Sequence, residues 1–172
     1  MKLLPAQIAV LEFTPEGRVK LIIMLGVLMV IVIAGFGPRA AGMPELFRIS
    51  EIIAVNDALA RTTAIITDGR YSGCTRGPAI GYVCPEALEG GAIGLVRDDD
   101  LIRIDITGRR LCLIQGRHEG IMRTGDELIA LRQVDPQRFI RPELPIEGAL
   151  AVYRRLARPG LLGGNMVCAR ER

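Results

Sequence analysis

Two residues in this chain have a type and a setting that suit chemistry. Ser72 lies in the run GRYSGCTRGPAIG, which holds Gly69, Gly73, Gly77, Pro78 and Gly81 within thirteen positions. That is too many breakers for a regular element, and the run follows directly on the apolar, β-branched stretch Thr63–Thr67. A serine on a loop at the end of a strand is well placed to act as nucleophile or base. Its hydroxyl needs a group that lowers its pKa or takes its proton. His118, the single histidine, is a poor partner, and its neighbours Gly116 and Gly120 mark it as a loop residue. The surroundings of Ser72 also depart from the G-x-S-x-G elbow of α/β-hydrolases. Read from its neighbours alone, Ser72 is a turn serine. Glu45 closes a second loop, GPRAAGMPEL, residues 37–46. Mg²⁺ takes one or two carboxylates and completes its octahedron with water and substrate, so Glu45 is a candidate ligand. A single glutamate is no metal site, however, and an acid at a helix start is favoured by the helix dipole without any ligand.

Other chemistries have little to work with. Cys74, Cys84, Cys112 and Cys168 form no C-x-x-C pair, as expected of reduced thiols in a cytoplasmic protein. Lysine and arginine number 22 against 19 acids, a net charge of +3, too small to point to nucleic acid or a membrane surface. The cluster Arg154, Arg155 and Arg158 is read as a solvated helix face.

The elements that must hold these loops can be read from the pattern. A chain of 172 residues with 49% hydrophobic and 4% aromatic residues is one domain with an aliphatic core. No charge interrupts Leu21 to Phe36, a run of 16 residues. A bilayer span needs about 20. Val27, Val30, Ile31, Val32 and Ile33 are β-branched, so the run is expected to be buried strand rather than membrane helix. A helix is expected over about Pro44 to Ala60, a buried strand over Thr63–Thr67, and a helical turn over Pro85 to Glu89. Residues 93 to 114 read as a meander of three strands, IGLV, LIRIDI and RLCLI. In the middle one Ile102, Ile104 and Ile106 alternate with Leu101, Arg103 and Asp105. Helical spacing returns over Asp126 to Gln133 and Ile146 to Ala157.

The stretch TDGRYSGCTRGPAIGYVCPEALEGGAIGLVRDDDLIRIDITGRRL, from Thr67 to Leu111, closely resembles the C-terminal signature of the dihydroxy-acid and 6-phosphogluconate dehydratase family. GPRAAGMPEL resembles that family's glycine-rich loop ending in Gly-Met-Pro-Glu. LAVYRRLARPGLLGGNMV is similar to its final helix, and IAVLEFTPEGRVKL to a segment that precedes the domain. Within the family, T-D-G-R-x-S-G followed by T-R-G is most similar to the branched-chain dihydroxy-acid dehydratases. The resemblance implies an α+β fold, a swivelling β/β/α domain over residues 21–172 with a barrel-like sheet flanked by helices, after an irregular remnant at 1–20. It implies that Ser72 is the catalytic base, that Glu45 is a Mg²⁺ ligand, and that Asp68, Gly69, Arg70 and Gly73 form the supporting loop. In the family a serine alkoxide beside Mg²⁺ removes the C2 proton of a 2,3-dihydroxy acid, and the C3 hydroxyl leaves toward an iron–sulfur cluster. The resulting enol becomes a 2-keto acid. A divalent cation favours the ionised form of a nearby acid, so Ser72 then needs no histidine.

The same resemblance implies that the cluster cysteines and the remaining Mg²⁺ ligands belong to a large N-terminal domain outside these residues. The implied partners are a 2,3-dihydroxy acid and that N-terminal dehydratase domain, or a second copy of the chain, and the isolated chain is expected to be inactive. Cys74 and Cys84 stand where the family usually has small or hydroxyl residues, and Tyr82 where histidine is common. GPRAAGM is one residue shorter than the family loop and has alanines for glycines. Three alternatives to the branched-chain enzyme stay open. They are a sugar-acid or 6-phosphogluconate dehydratase fragment, a non-catalytic domain that keeps the fold, and a membrane-tethered form through residues 21–36.

Overall fold

The computed structural model describes residues 11–13, 19–21, 29–134 and 146–167. Strands β1 (Leu11–Phe13) and β2 (Val19–Leu21) pair antiparallel. The apolar run enters the described residues as β3 (Met29–Ile33), five half-buried positions; residues 22–28 of that run lie outside them. No helix among the described residues is long and apolar enough to cross a membrane.

A short helix α1 (Pro38–Ala41) follows, with Pro38 in the first turn, where a missing N–H costs nothing. The single helix expected over 44–60 is two helices, α2 (Phe47–Ala54) and α3 (Asp57–Thr62). Asn56 separates them. Its side chain accepts the N–H groups of Ala58 and Leu59 at 3.1 Å each, and this cap starts α3 afresh. Strand β4 (Thr63–Thr67) is buried at all five positions, as a strand flanked on both edges and covered on both faces should be. It pairs parallel with β3, from Met29 opposite Thr63 to Ile33 opposite Thr67, and parallel with the two-residue β5 (Ala79–Ile80).

The second half of the meander holds. Strands β6 (Leu101–Asp105), β7 (Arg110–His118) and β8 (Ile121–Thr124) form an antiparallel sheet. Ile102 and Ile104 pack on the core, whereas Ile106 is 70% exposed in the turn beyond the strand. IGLV is not a strand. Residues Ala92–Leu95 form a 3-10 turn in which Gly94 N–H bonds Gly91 O at 3.0 Å. Ile93 and Leu95 are both buried, so their spacing mimics the alternation of a strand. The expected helical turn is a 3-10 turn at Ala87–Glu89. His118 ends β7 opposite Ile121 rather than lying in a loop.

Helix α4 (Gly125–Gln133) begins with a capping box between Thr124 and Glu127. It is locked to the sheet by Arg132, 1% exposed, which binds Leu95 O and Arg117 O and pairs with Asp100. Helix α5 (Gly148–Leu156) and a 3-10 turn at Gly160–Leu162 complete the order. Helix α5 packs on α1, whose C-cap Gly42 has φ +71° and lies against the Leu150 carbonyl, with no room for a Cβ. The described residues therefore mix α and β elements around a core of Ile66, Ala87 and Ile93, packed by Val30, Val32, Ile102 and Ile104 from both three-stranded sheets. The barrel-like sheet is not found among them. The strands form three separate small sheets that do not close, because β5 is too short and irregular neighbours follow it.

Candidate functional site

The two loops singled out by sequence leave the carboxyl ends of adjacent parallel strands, the loop of Glu45 from β3 and the loop of Ser72 from β4. That is the end of a parallel α/β sheet at which ligands bind. They are joined by backbone. Glu45 and Arg70 form a parallel bridge, Leu46 N–H bonds Arg70 O at 3.0 Å, and Arg70 Nε–H donates to Met43 O at 2.8 Å. Glu45 is exposed and precedes α2 in an extended segment, so it is not part of that helix's first turn. Among the described residues its carboxylate has no hydrogen-bond partner.

Ser72 is half-buried. Its Oγ accepts the N–H of Cys74 at 3.2 Å and its carbonyl accepts the N–H of Thr75 at 3.1 Å, a side-chain turn of the kind serine favours. No carboxylate or imidazole reaches the hydroxyl among the described residues. An N–H aimed at Oγ favours its ionised form over its neutral form. The far end of the loop is tied down where Thr75 Oγ1 meets Ser50 Oγ of α2 at 3.2 Å. Beside Ser72, burial pushes the Tyr71 phenol well above its usual range, and its hydroxyl lacks a partner among the described residues.

The supporting residues divide into those with a clear structural task and one without. Asp68 is 1% exposed and accepts three backbone N–H groups, from Gly35 at 3.0 Å, Phe36 at 2.9 Å and Ala87 at 2.9 Å. It binds the start of the Glu45 loop to the stem of the Ser72 loop. A Cβ on Gly69 would lie 2.8 Å from Phe36 Cβ and 2.9 Å from Phe36 O, so only glycine lets the two loops pass. Gly73 faces open space, and no steric need for glycine is evident there.

Sequence reasoning missed Glu86. Its side chain is fully buried, and its carboxylate accepts the N–H groups of Arg39 and Ala40 in α1 at 3.2 Å each. Burial raises its pKa against the lowering effect of backbone hydrogen bonds from Ala40, Arg39 and Gly160, and the nearby Asp68 raises it further. The only sequence signal was an acid caught between Pro85 and Ala87. Cys84, exposed at the edge of this group, has its thiol pKa raised by burial and by the charges of Glu86 and Asp68, which leaves it a poor nucleophile at neutral pH.

A cleft of about 840 Å³ opens next to the two loops, between Met43, Arg70 and Tyr82 on one side and Leu150, Val152 and Met166 on the other. Ser72 and Glu45 do not line it. Among the described residues no three His, Cys, Asp or Glu side chains are grouped to hold a metal ion. Asp68 is committed to backbone N–H groups, and Cys74, Cys84 and Cys112 are exposed, unpaired thiols.

A family model described as the dihydroxy-acid/6-phosphogluconate dehydratase C-terminal domain matches residues 14–161. The dihydroxy-acid dehydratase of Carboxydothermus hydrogenoformans is 43% identical over 136 residues, which is 78% of this chain and 22% of that protein. That of Archaeoglobus fulgidus is 41% identical over 130 residues, 75% of this chain and 21% of the relative. That of Lactococcus lactis strain IL1403 is 38% identical over 135 residues, 78% and 22%. The chain thus spans about a fifth of the length of these relatives.

Proposed function

The chain belongs to the dihydroxy-acid/6-phosphogluconate dehydratase C-terminal family, a hydro-lyase family, and from that premise we propose that it contributes the serine half of a 2,3-dihydroxy-acid dehydratase site. The observation that carries this reading is the Glu45–Arg70 backbone bridge, which fixes the two family loops side by side at the carboxyl ends of β3 and β4.

In this reading Ser72 Oγ takes the C2 proton of the substrate. The hydroxyl at C3 departs with its bonding electrons and is protonated to water, and the enol left between C2 and C3 tautomerises to the 2-keto acid. Glu45 is one oxygen ligand of a Mg²⁺ whose other ligands come from outside the described residues. The cation, when bound, supplies positive charge that favours ionised over neutral oxygen acids. Asp68, Gly69 and Arg70 hold the loop, and the Cys74 N–H steadies Ser72 Oγ. Branched-chain 2,3-dihydroxy acids are the favoured substrates, since the T-D-G-R-x-S-G and T-R-G segments are those of that branch.

The resemblance assigns the cluster and the remaining Mg²⁺ ligands to the family's N-terminal domain, so these 172 residues alone are expected to be inactive. The test is reconstitution. The chain is combined with the N-terminal portion of a dihydroxy-acid dehydratase that lacks its own C-terminal domain, and 2-keto acid formation is followed with and without Mg²⁺. Product only from the combination supports the proposal. No product from any combination, with both parts folded and the cluster loaded, favours a non-catalytic domain that keeps the fold.

A further inference from the structure

We propose that Glu86 is a positioning residue for the Glu45 loop, acting with Asp68 as a buried two-carboxylate clamp that holds residues 35–46 against the stem of the Ser72 loop. The inference rests on the reading of Glu45 and Ser72 given above, and it assigns a task to a residue outside both loops.

The clamp is visible in where the backbone N–H groups of the loop go. Gly35 and Phe36 donate to Asp68, while Arg39 and Ala40 donate to Glu86. Four donors within six residues are thus taken by two carboxylates that the chain supplies from positions 68 and 86. The two acids are themselves joined, because Ala87 N–H donates to Asp68. Both are essentially without solvent contact, Glu86 at 0% and Asp68 at 1% exposure. A Cβ on Gly37 would overlap the Glu86 carboxylate and come within 2.8 Å of Glu86 Cβ, so the loop is moulded around this side chain. From Ala40 the chain runs through the left-handed Gly42 and Met43 to Glu45, and it is held at that end by Arg70 through Met43 O and Leu46 N–H. Glu86 therefore fixes one end of the Glu45 segment and Arg70 the other.

A carboxylate buried with no cation among its bonded partners is costly unless its bonds are well made. An ordinary core position would be served as well by an apolar side chain. At 3.2 Å the Arg39 and Ala40 bonds are longer than charge-assisted bonds usually are, so the hold on the loop comes from adjacent N–H groups making two converging bonds to one carboxylate. They suit a loop that has to be held in one conformation.

The test is amide hydrogen exchange on the full chain, wild type against Glu86→Gln, which needs no turnover and is independent of whether the reconstituted dehydratase is active. Arg39 and Ala40 both donate to Oε2, so glutamine keeps the shape and can still accept both, but through a neutral oxygen whose bonds are weaker than those to a charged one. The expected result is exchange about tenfold or more faster at Arg39, Ala40 and Leu46, with the amides of 101–124 unchanged and the downfield amide shifts of Arg39 and Ala40 reduced. Unchanged protection at 39–46, or an equal acceleration over the whole chain, would overturn the proposal. If Glu86→Gln does not fold, native-state exchange of the wild type decides. Under the proposal Arg39, Ala40 and Leu46 open as one unit with a common free energy, and separate opening of Leu46 refutes it.

Discussion

Replacing Asp68 by asparagine removes one charge and one acceptor from the stem of the candidate site while leaving its volume unchanged. Oδ2 accepts Gly35 N–H at 3.0 Å and Ala87 N–H at 2.9 Å, and Oδ1 accepts Phe36 N–H at 2.9 Å. Asparagine has one acceptor oxygen. Its better placement keeps Gly35 and Ala87 and turns the NH₂ group onto Phe36 N–H. One donor is then left unpaired, which costs about 1–3 kcal/mol. The two bonds that survive lose their charge assistance, about 1 kcal/mol each. The expected loss is about 3–5 kcal/mol, a large part of the roughly 5–15 kcal/mol that holds a domain together. Urea unfolding of the chain followed by far-ultraviolet circular dichroism measures it, with the exposed Asp98→Asn as a control expected within about 0.5 kcal/mol of wild type. An Asp68→Asn midpoint and slope equal to those of the control would refute the claim that this carboxylate joins the loops.

Two further outcomes follow from buried charge. Glu86 has its folded-state pKa raised, by burial first and by Asp68 as well, so its proton favours the folded state. That contribution is fully present below the usual glutamate range and is lost as pH rises through the raised value. The stability of wild type minus that of Glu86→Gln should accordingly fall with rising pH over that window, by at most about 1.4 kcal/mol per pH unit, as read from urea midpoints across a pH series; a flat or rising difference contradicts the burial of this acid. Arg132→Ala leaves buried Asp100 without its cationic partner, with the Arg97 N–H still bonded to it, and frees the carbonyls of Leu95 and Arg117. A loss of about 3–5 kcal/mol is expected, and a thermal midpoint within 1 °C of wild type would contradict it.

The sequence made legible what is local. Strand β4 shows as a continuous apolar run because parallel neighbours and covered faces demand it, and β6 shows as an alternation because only one of its faces meets the core. The same rule misread Ala92–Leu95, where two buried side chains two residues apart sit on a 3-10 turn. Strand β8, IMRT, escaped notice because Ile121 and Met122 are both exposed and no alternation survives. The order of the Glu45 and Ser72 loops was readable from the resemblance of their motifs. Their joining through Arg70 was not, since it depends on the parallel pairing of β3 with β4 across more than thirty residues. Glu86 was illegible for a different reason. Pro85 and Ala87 on either side are only a faint sign of burial, and an acid is ordinarily solvated unless partners far away in sequence have claimed it.

We propose Ser72 Oγ as the base that removes the C2 proton. The direct measurement is loss of deuterium from a C2-deuterated branched 2,3-dihydroxy acid in the reconstituted assembly, comparing the wild-type chain with Ser72→Ala. The only described bond to the Ser72 hydroxyl comes from Cys74 N–H, so Ser72→Ala should lower stability by no more than about 1 kcal/mol. It should slow deuterium loss and 2-keto acid formation together by about 10²–10⁴-fold, the range of a lost general base. A folded Ser72→Ala chain that releases C2 deuterium at the wild-type rate would contradict the account.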